Sequence, residues 1–161
     1  FVDNKADLVM LVMKDYLDNE REQMEAILAN SKNSVDEMIQ IVAYSVTQIR
    51  GFNSTAIDDL KKYYPESWDL FNDFSYGFIL KRIIMNLENG VKDGYYRGDL
   101  NIDIISKMYV AGIDMLLNQE LFPAAKYAFV DLYREYLNYY MRGIISPTGL
   151  KILEQHKLFK N

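Results

Sequence analysis

The single imidazole of the chain, His156, sits in the polar stretch Glu154-Gln155-His156-Lys157. On a helical bundle such a residue could serve as a phosphorelay acceptor, but among charged neighbours it reads as a solvated surface side chain. Asp58-Asp59, and Asp93 with Asp99, are paired carboxylates. General acid–base work needs two such groups converging in a cleft with displaced pKa values. Asp58-Asp59 reads more simply as acidic charge at a helix start, where it complements the dipole. The chain has no Cys, which excludes disulfides, thiolate metal sites and Cys nucleophiles. One His cannot build a multi-His metal site, and no Glu-x-x-His pair of the kind used by carboxylate-bridged metal centres occurs. A Gly-rich phosphate loop is also missing. These residues point away from an enzyme, and no catalytic residue, metal or cofactor is assigned.

The chemistry that remains is binding. The chain carries 13 Tyr, 8 Phe and 8 Met, a mixture of adaptable thioethers and large rings with polar tips that suits either an ordinary core or a lipophilic pocket. The candidate pocket walls are Met10, Met13, Met38, Val42, Phe71, Phe74, Phe78 and Tyr109, with Trp68 and Arg82 as polar anchors. Each could equally be plain core. Arg82 falls on an apolar stripe, where a charge must bind an anionic group, pair with a carboxylate or reach solvent. The run Asp18, Glu20, Arg21, Glu22 and Glu25 reads as a solvated helix face.

Long helices must position these groups. The first is expected from Asp3 or Asn4 to Asn30, roughly 40 Å at 1.5 Å per residue, with Leu8–Met13 apolar on nearly every side. Ser34-Val35-Asp36-Glu37 reads as a capping box opening a helix that carries Met38, Ile41, Val42, Ser45, Val46 and Ile49 and stops at Gly51. After an Asn53-Ser54 turn, Thr55 starts a short helix that ends before Pro65. Glu66 to Asp93 reads as one helix with two stripes. The first is Phe71, Phe74, Phe78 and Met85; the second is Tyr76, Ile79, Leu80, Ile83, Ile84, Leu87 and Val91. Gly77 between them would admit a close neighbour. A helix over 101–118, capped by Asn101, is apolar on two faces and must bury both. Pro123 fits the first position of a helix over 124–143 striped by Phe129, Leu132, Tyr133, Tyr136, Leu137 and Tyr140. Ser146-Pro147 opens a short last helix. No strand pattern, repeat or linker is found. The expected fold is all-α, an antiparallel bundle of about six to seven helices forming one domain over residues 1–161.

The formal net charge of −5 argues against a nucleic-acid surface here. No apolar run reaches the roughly 18–20 residues of a membrane span, and the start lacks the features of a signal peptide. A cytoplasmic protein is expected.

Three segments resemble TetR-family transcriptional regulators. Phe1, followed by Asn4-Lys5 and Leu8, is similar to the junction after that family's helix-turn-helix. Gly90–Leu100, with Gly94-Tyr95-Tyr96-Arg97-Gly98-Asp99, resembles the loop between two late helices. Tyr140-Met141-Arg142-Gly143-Ile144 with Ser146-Pro147-Thr148-Gly149 resembles the tail of one branch. The resemblance implies a C-terminal ligand-sensing and dimerising domain whose N-terminal DNA-binding part is absent from this chain. It implies a small lipophilic or aromatic effector, and a homodimer built on the two late helices through Ile105, Met108, Gly112, Met115, Phe129, Leu132, Tyr133, Tyr136 and Tyr140. The two apolar faces of 101–118 and the Tyr-rich 124–143 segment support that pairing independently. The rival reading is a helical module that binds a protein partner and no small molecule.

Overall fold

Asn4 opens the first helix, α1 (Lys5–Asn30), by accepting the Asp7 N–H on its side-chain oxygen at 3.0 Å. The computed structural model describes residues 4–49 and 55–159. Phe1, the Gly51 helix stop and the Asn53-Ser54 turn lie outside them. Leu17, Glu20 and Met24 form the buried stripe of α1. Its first half departs from expectation: Leu8, Leu11 and Val12 are exposed. Only Val9, Met10 and Met13 of that stretch are even half-covered, so among the described residues one flank of the helix has a neighbour and the rest has none.

The second helix, α2 (Ser34–Gln48), lies at the centre, and Val35, Met38 and Val42 are fully buried on it. Its cap differs from the sequence expectation by one residue. Asn33 is the cap, accepting the Asp36 N–H at 2.9 Å, and Asp36 Oδ2 reaches back to the Lys32 N–H at 2.8 Å. The cap is therefore Asn33, worth about 1 kcal/mol, with Asp36 holding the residue before it. Glu37 is thereby released into the core.

The third helix, α3 (Thr55–Tyr63), and α4 (Pro65–Asp73) come next, with Pro65 in the first turn of α4. A six-residue π turn, Phe74–Ile79, continues α4 directly into α5 (Leu80–Lys92). The expected single helix is thus one rod with an extra residue in it. That residue explains the two stripes. The inward face runs through Phe71 and Phe74, slips phase, and resumes at Ile79, Ile83 and Leu87, while Met85 and Tyr76 face outward. Gly77 meets no neighbour, contrary to expectation. The close approach is at Gly90, where the Tyr96 ring leaves no room for a β-carbon.

Gly94, at φ +79°, turns the chain so that the Tyr95 and Tyr96 N–H groups both donate to the Gly90 carbonyl. Asn101 then caps α6 (Ile102–Leu116). The next helix, α7 (Phe129–Ile144), begins later than expected. Asn118 Oδ1 accepts the Glu120 and Leu121 N–H groups, and Pro123 opens only a single turn closed by Lys126 and Tyr127. The last helix, α8 (Pro147–Leu153), is capped by Ser146 as its sequence requires.

The loop and the tail meet. Ser146 N–H donates to the Tyr95 carbonyl, Arg97 N–H donates to the Ile144 carbonyl, and Gly149 lies directly on the Tyr95 carbonyl. The result is an all-α bundle. Among the described residues its eight α-helices make seven rods, the π turn joining two of them, and the Tyr96–Ile145 bridge is the sole β pairing.

Candidate ligand-binding cavity

The π turn gives the bundle a hollow. Phe74, Ser75 and Ile79 form one wall of a cavity of about 420 Å³. Leu17, Glu20 and Met24 of α1 face them, Ile41 and Ser45 of α2 close one side, and Tyr109, Val110 and Ile113 of α6 another. Phe129 and Tyr133 bring α7 to the same space. The lining is mainly apolar and aromatic, with a few polar groups, as ligand pockets generally are.

Of the residues expected at a pocket, Met13, Phe71, Phe74, Arg82 and Tyr109 line this cavity. Met38 and Val42 sit in the closed core, because α2 turns that face toward α5 and α8. Met10 is half-buried on α1 and away from the cavity. Trp68 stacks on Phe71 at 5.4 Å with the Lys61 ammonium 4.4 Å from its ring centre. Phe78 stacks on Phe74 at 5.2 Å and carries the Arg21 guanidinium 4.6 Å from its ring centre, on the outer side of the π turn.

Arg82 is already paired. Its Nη2 donates to Glu37 Oε1 at 3.0 Å; the Glu37 side chain is buried and that of Arg82 is 14% exposed. Glu37 Oε2 accepts from Asn86 Nδ2 at 2.9 Å, and Asn86 Nδ2 also donates to the Ser34 carbonyl. The Tyr96 hydroxyl completes the group, 2.8 Å from Asn86 Oδ1 and 2.9 Å from the Ser34 carbonyl. This chain of buried bonds runs from the cavity wall to the Tyr95–Tyr96 loop.

No protein-family model matches the sequence, and no curated protein matches it. Among solved structures, the ketosteroid transcriptional regulator KstR2 of Mycobacterium tuberculosis is similar in architecture. Its TM-score is 0.53 over 87% of this chain and 72% of that one, at 15% sequence identity. The fold is TetR-like. Agreement at this identity extends to the arrangement of helices alone.

Within this TetR-like bundle, Glu20 departs most from the sequence expectation. It is expected on a solvated face but is 8% exposed and lines the cavity. Its spacing held the signal: it falls three residues after Leu17 and four before Met24, on their stripe. Its Oε1 accepts the Tyr44 hydroxyl at 2.6 Å. Burial pushes the Glu20 carboxyl up, and the Tyr44 bond pulls the other way. Burial, then the Glu20 charge, push the nearby Tyr16 hydroxyl up to about 12. Across the cavity, Tyr133 shares hydrogen bonds with Ser45 and Tyr109, and burial raises both tyrosines. At the rim, the Tyr76 hydroxyl donates to Asp114 Oδ2 at 2.6 Å, and that bond, more than burial, pushes it up to about 12.

The residues expected at a dimer interface divide. Tyr133 and Tyr140 are buried inside the chain, and Phe129 lines the cavity. Tyr140 meets Tyr109 edge-on at 5.1 Å. Gly112 serves an internal contact: the Tyr136 ring rests on it and donates its hydroxyl to the Met108 carbonyl at 2.8 Å. Ile105 and Leu132 are half-buried against the core. Met108 and Met115 are exposed, in line with Ile104 and Ala111 on the same face of α6. His156 accepts the Leu158 N–H on Nδ1 at 3.3 Å, a local turn after α8. Asp58, Asp59, Asp93 and Asp99 are exposed, with Arg97 3.5 Å from Asp99.

Proposed function

We propose that residues 1–161 are the ligand-sensing and dimerising domain of a TetR-like transcriptional regulator. The observation that carries this reading is the apolar cavity walled by α1, α2, the π turn, α6 and α7. A small lipophilic or aromatic effector occupies it. The first helix contributes Met13, Leu17 and Glu20 to the wall, so occupancy bears on the helix that leads toward a DNA-binding domain joined ahead of it. The ligand acts by favouring one arrangement of that helix over another, and one bound equally by both would change nothing.

A second copy covers the outer face of α6, where Ile104, Met108 and Met115 line up at spacings of four and seven, beside the exposed Tyr139 of α7. DNA contact belongs to the other domain, in keeping with the net charge of −5 on this one. The reading assigns no catalytic step and no cofactor, and it places the protein in the cytoplasm. No described helix is long and apolar enough to cross a membrane.

Native mass spectrometry of the purified chain tests this. A dimer carrying the extra mass of a co-purified small molecule is the expected result. A ligand-free monomer that also binds none of a panel of lipophilic compounds sinks the reading and favours the protein-partner alternative.

A further inference from the structure

The charges of the cavity are unevenly placed. Arg82 is the only basic side chain in the lining among the described residues, and Glu37 already neutralises it. Glu20 and Asp114 are the acidic ones. Each accepts a tyrosine hydroxyl, and neither is in an ion pair with any described residue. The second oxygen of Glu20, Oε2, takes no hydrogen bond from the described residues. Every fully enclosed side-chain oxygen and nitrogen among them is satisfied, so Oε2 is not fully enclosed by protein. A carboxylate that is 8% exposed and has no counter-ion among the described residues is costly to ionise.

We propose that the cavity takes a lipophilic organic cation, an amine or quaternary ammonium on an aromatic or aliphatic skeleton, with Glu20 as its counter-ion. This names the ligand class for the effector reading above and rests on that reading. Three features support it. A cation beside Glu20 Oε2 supplies the charge that the described part of the wall omits, and attraction there is stronger than between ions in bulk water. The rings of Tyr16, Phe71 and Phe74 line the same cavity, and a cation that meets a ring face gains further attraction. Among the described lining residues an anionic ligand would meet two carboxylates and could gain a cation only by breaking the Arg82–Glu37 pair, which strands a buried charge.

The test is calorimetric titration of the intact chain at neutral pH with three probes. All share one naphthalene skeleton and linker and end in trimethylammonium, hydroxyl or carboxylate. The ammonium probe is expected to bind at least about tenfold more tightly than the carboxylate, with the alcohol between them. Glu20→Gln is expected to weaken the ammonium probe about tenfold and to leave the alcohol within about twofold. Equal ammonium and carboxylate affinities, or a tighter carboxylate, overturn the charge assignment while leaving the cavity as a lipophilic site. Undiminished ammonium binding by a folded Glu20→Gln chain overturns the role of Glu20. If none of the three binds, the effector reading falls and the proposal with it. Should the variant fail to fold, the ranking of the three probes on the unaltered chain decides by itself.

Discussion

The Arg82 guanidinium lies 3.0 Å from the buried Glu37 carboxylate, at the point where the cavity wall joins the closed core. Removing one partner leaves an uncompensated charge away from water. Arg82→Met is expected to cost about 3–5 kcal/mol of unfolding free energy, and Arg82→Met with Glu37→Met to recover much of it. Urea denaturation of the single variant, the double variant and the unaltered chain measures this. A single-variant cost below about 1 kcal/mol would show that the pair is solvated.

Gly77 and Gly90 lie on the same rod and should answer oppositely to a methyl group. Gly90→Ala drives a β-carbon into the Tyr96 ring and is expected to destabilise by about 1–3 kcal/mol. Gly77→Ala meets open space and gains helix propensity, up to about 1 kcal/mol. Thermal unfolding of the pair reports the sign of each.

Glu20 sets a pH dependence. Its folded carboxyl is raised by burial, so the folded state holds the proton more tightly than the unfolded chain does. Its contribution to stability is fully present below the unfolded value, about 4.3, and is lost as pH rises through the raised folded value. Glu20→Gln removes this contribution. Its stability relative to the unaltered chain is therefore expected to rise between about pH 4 and pH 7, read by urea midpoints at both. A constant difference across that range would mean that Glu20 titrates normally.

The outer face of α6 predicts an oligomeric response. Met108→Glu with Met115→Glu places charge on two exposed positions of that face. The double variant is expected to stay folded by circular dichroism and to become a monomer by light scattering. A dimer that survives it is built on another face.

Much of the fold is legible in the residues. Asn4, Asn101 and Ser146-Pro147 mark helix starts through chemistry that works within four residues, so local reading suffices. The apolar rhythm of α2 likewise places Met38 and Val42 inward without any knowledge of neighbours. Features that escape local reading depend on distant partners. Glu37 looks like a capping residue until Arg82, 45 positions away, is seen beside it. Tyr133 looks like an interface residue because its stripe is continuous with Tyr136 and Tyr140, and only the packing of α7 on α6 decides which rings turn inward. Of the cavity, the aromatic wall was foreseeable from composition. The carboxylate within it was obscured by its charged neighbours Asp18, Arg21 and Glu22.

The π turn has a consequence for how this chain can change length. Elsewhere in a helix, loss of one residue shortens the rod by about 1.5 Å and turns the downstream residues by about 100°. Between Phe74 and Ile79 the extra residue cancels such a turn, holding Phe71 and Phe74 inward together with Ile83 and Leu87. A one-residue deletion there would restore regular bonding along the backbone and keep Phe71, Phe74, Ile83 and Leu87 on one face, whereas the same deletion elsewhere in the rod would misdirect half of it. The π turn is therefore the place where this rod can give up a residue and keep its two halves in register.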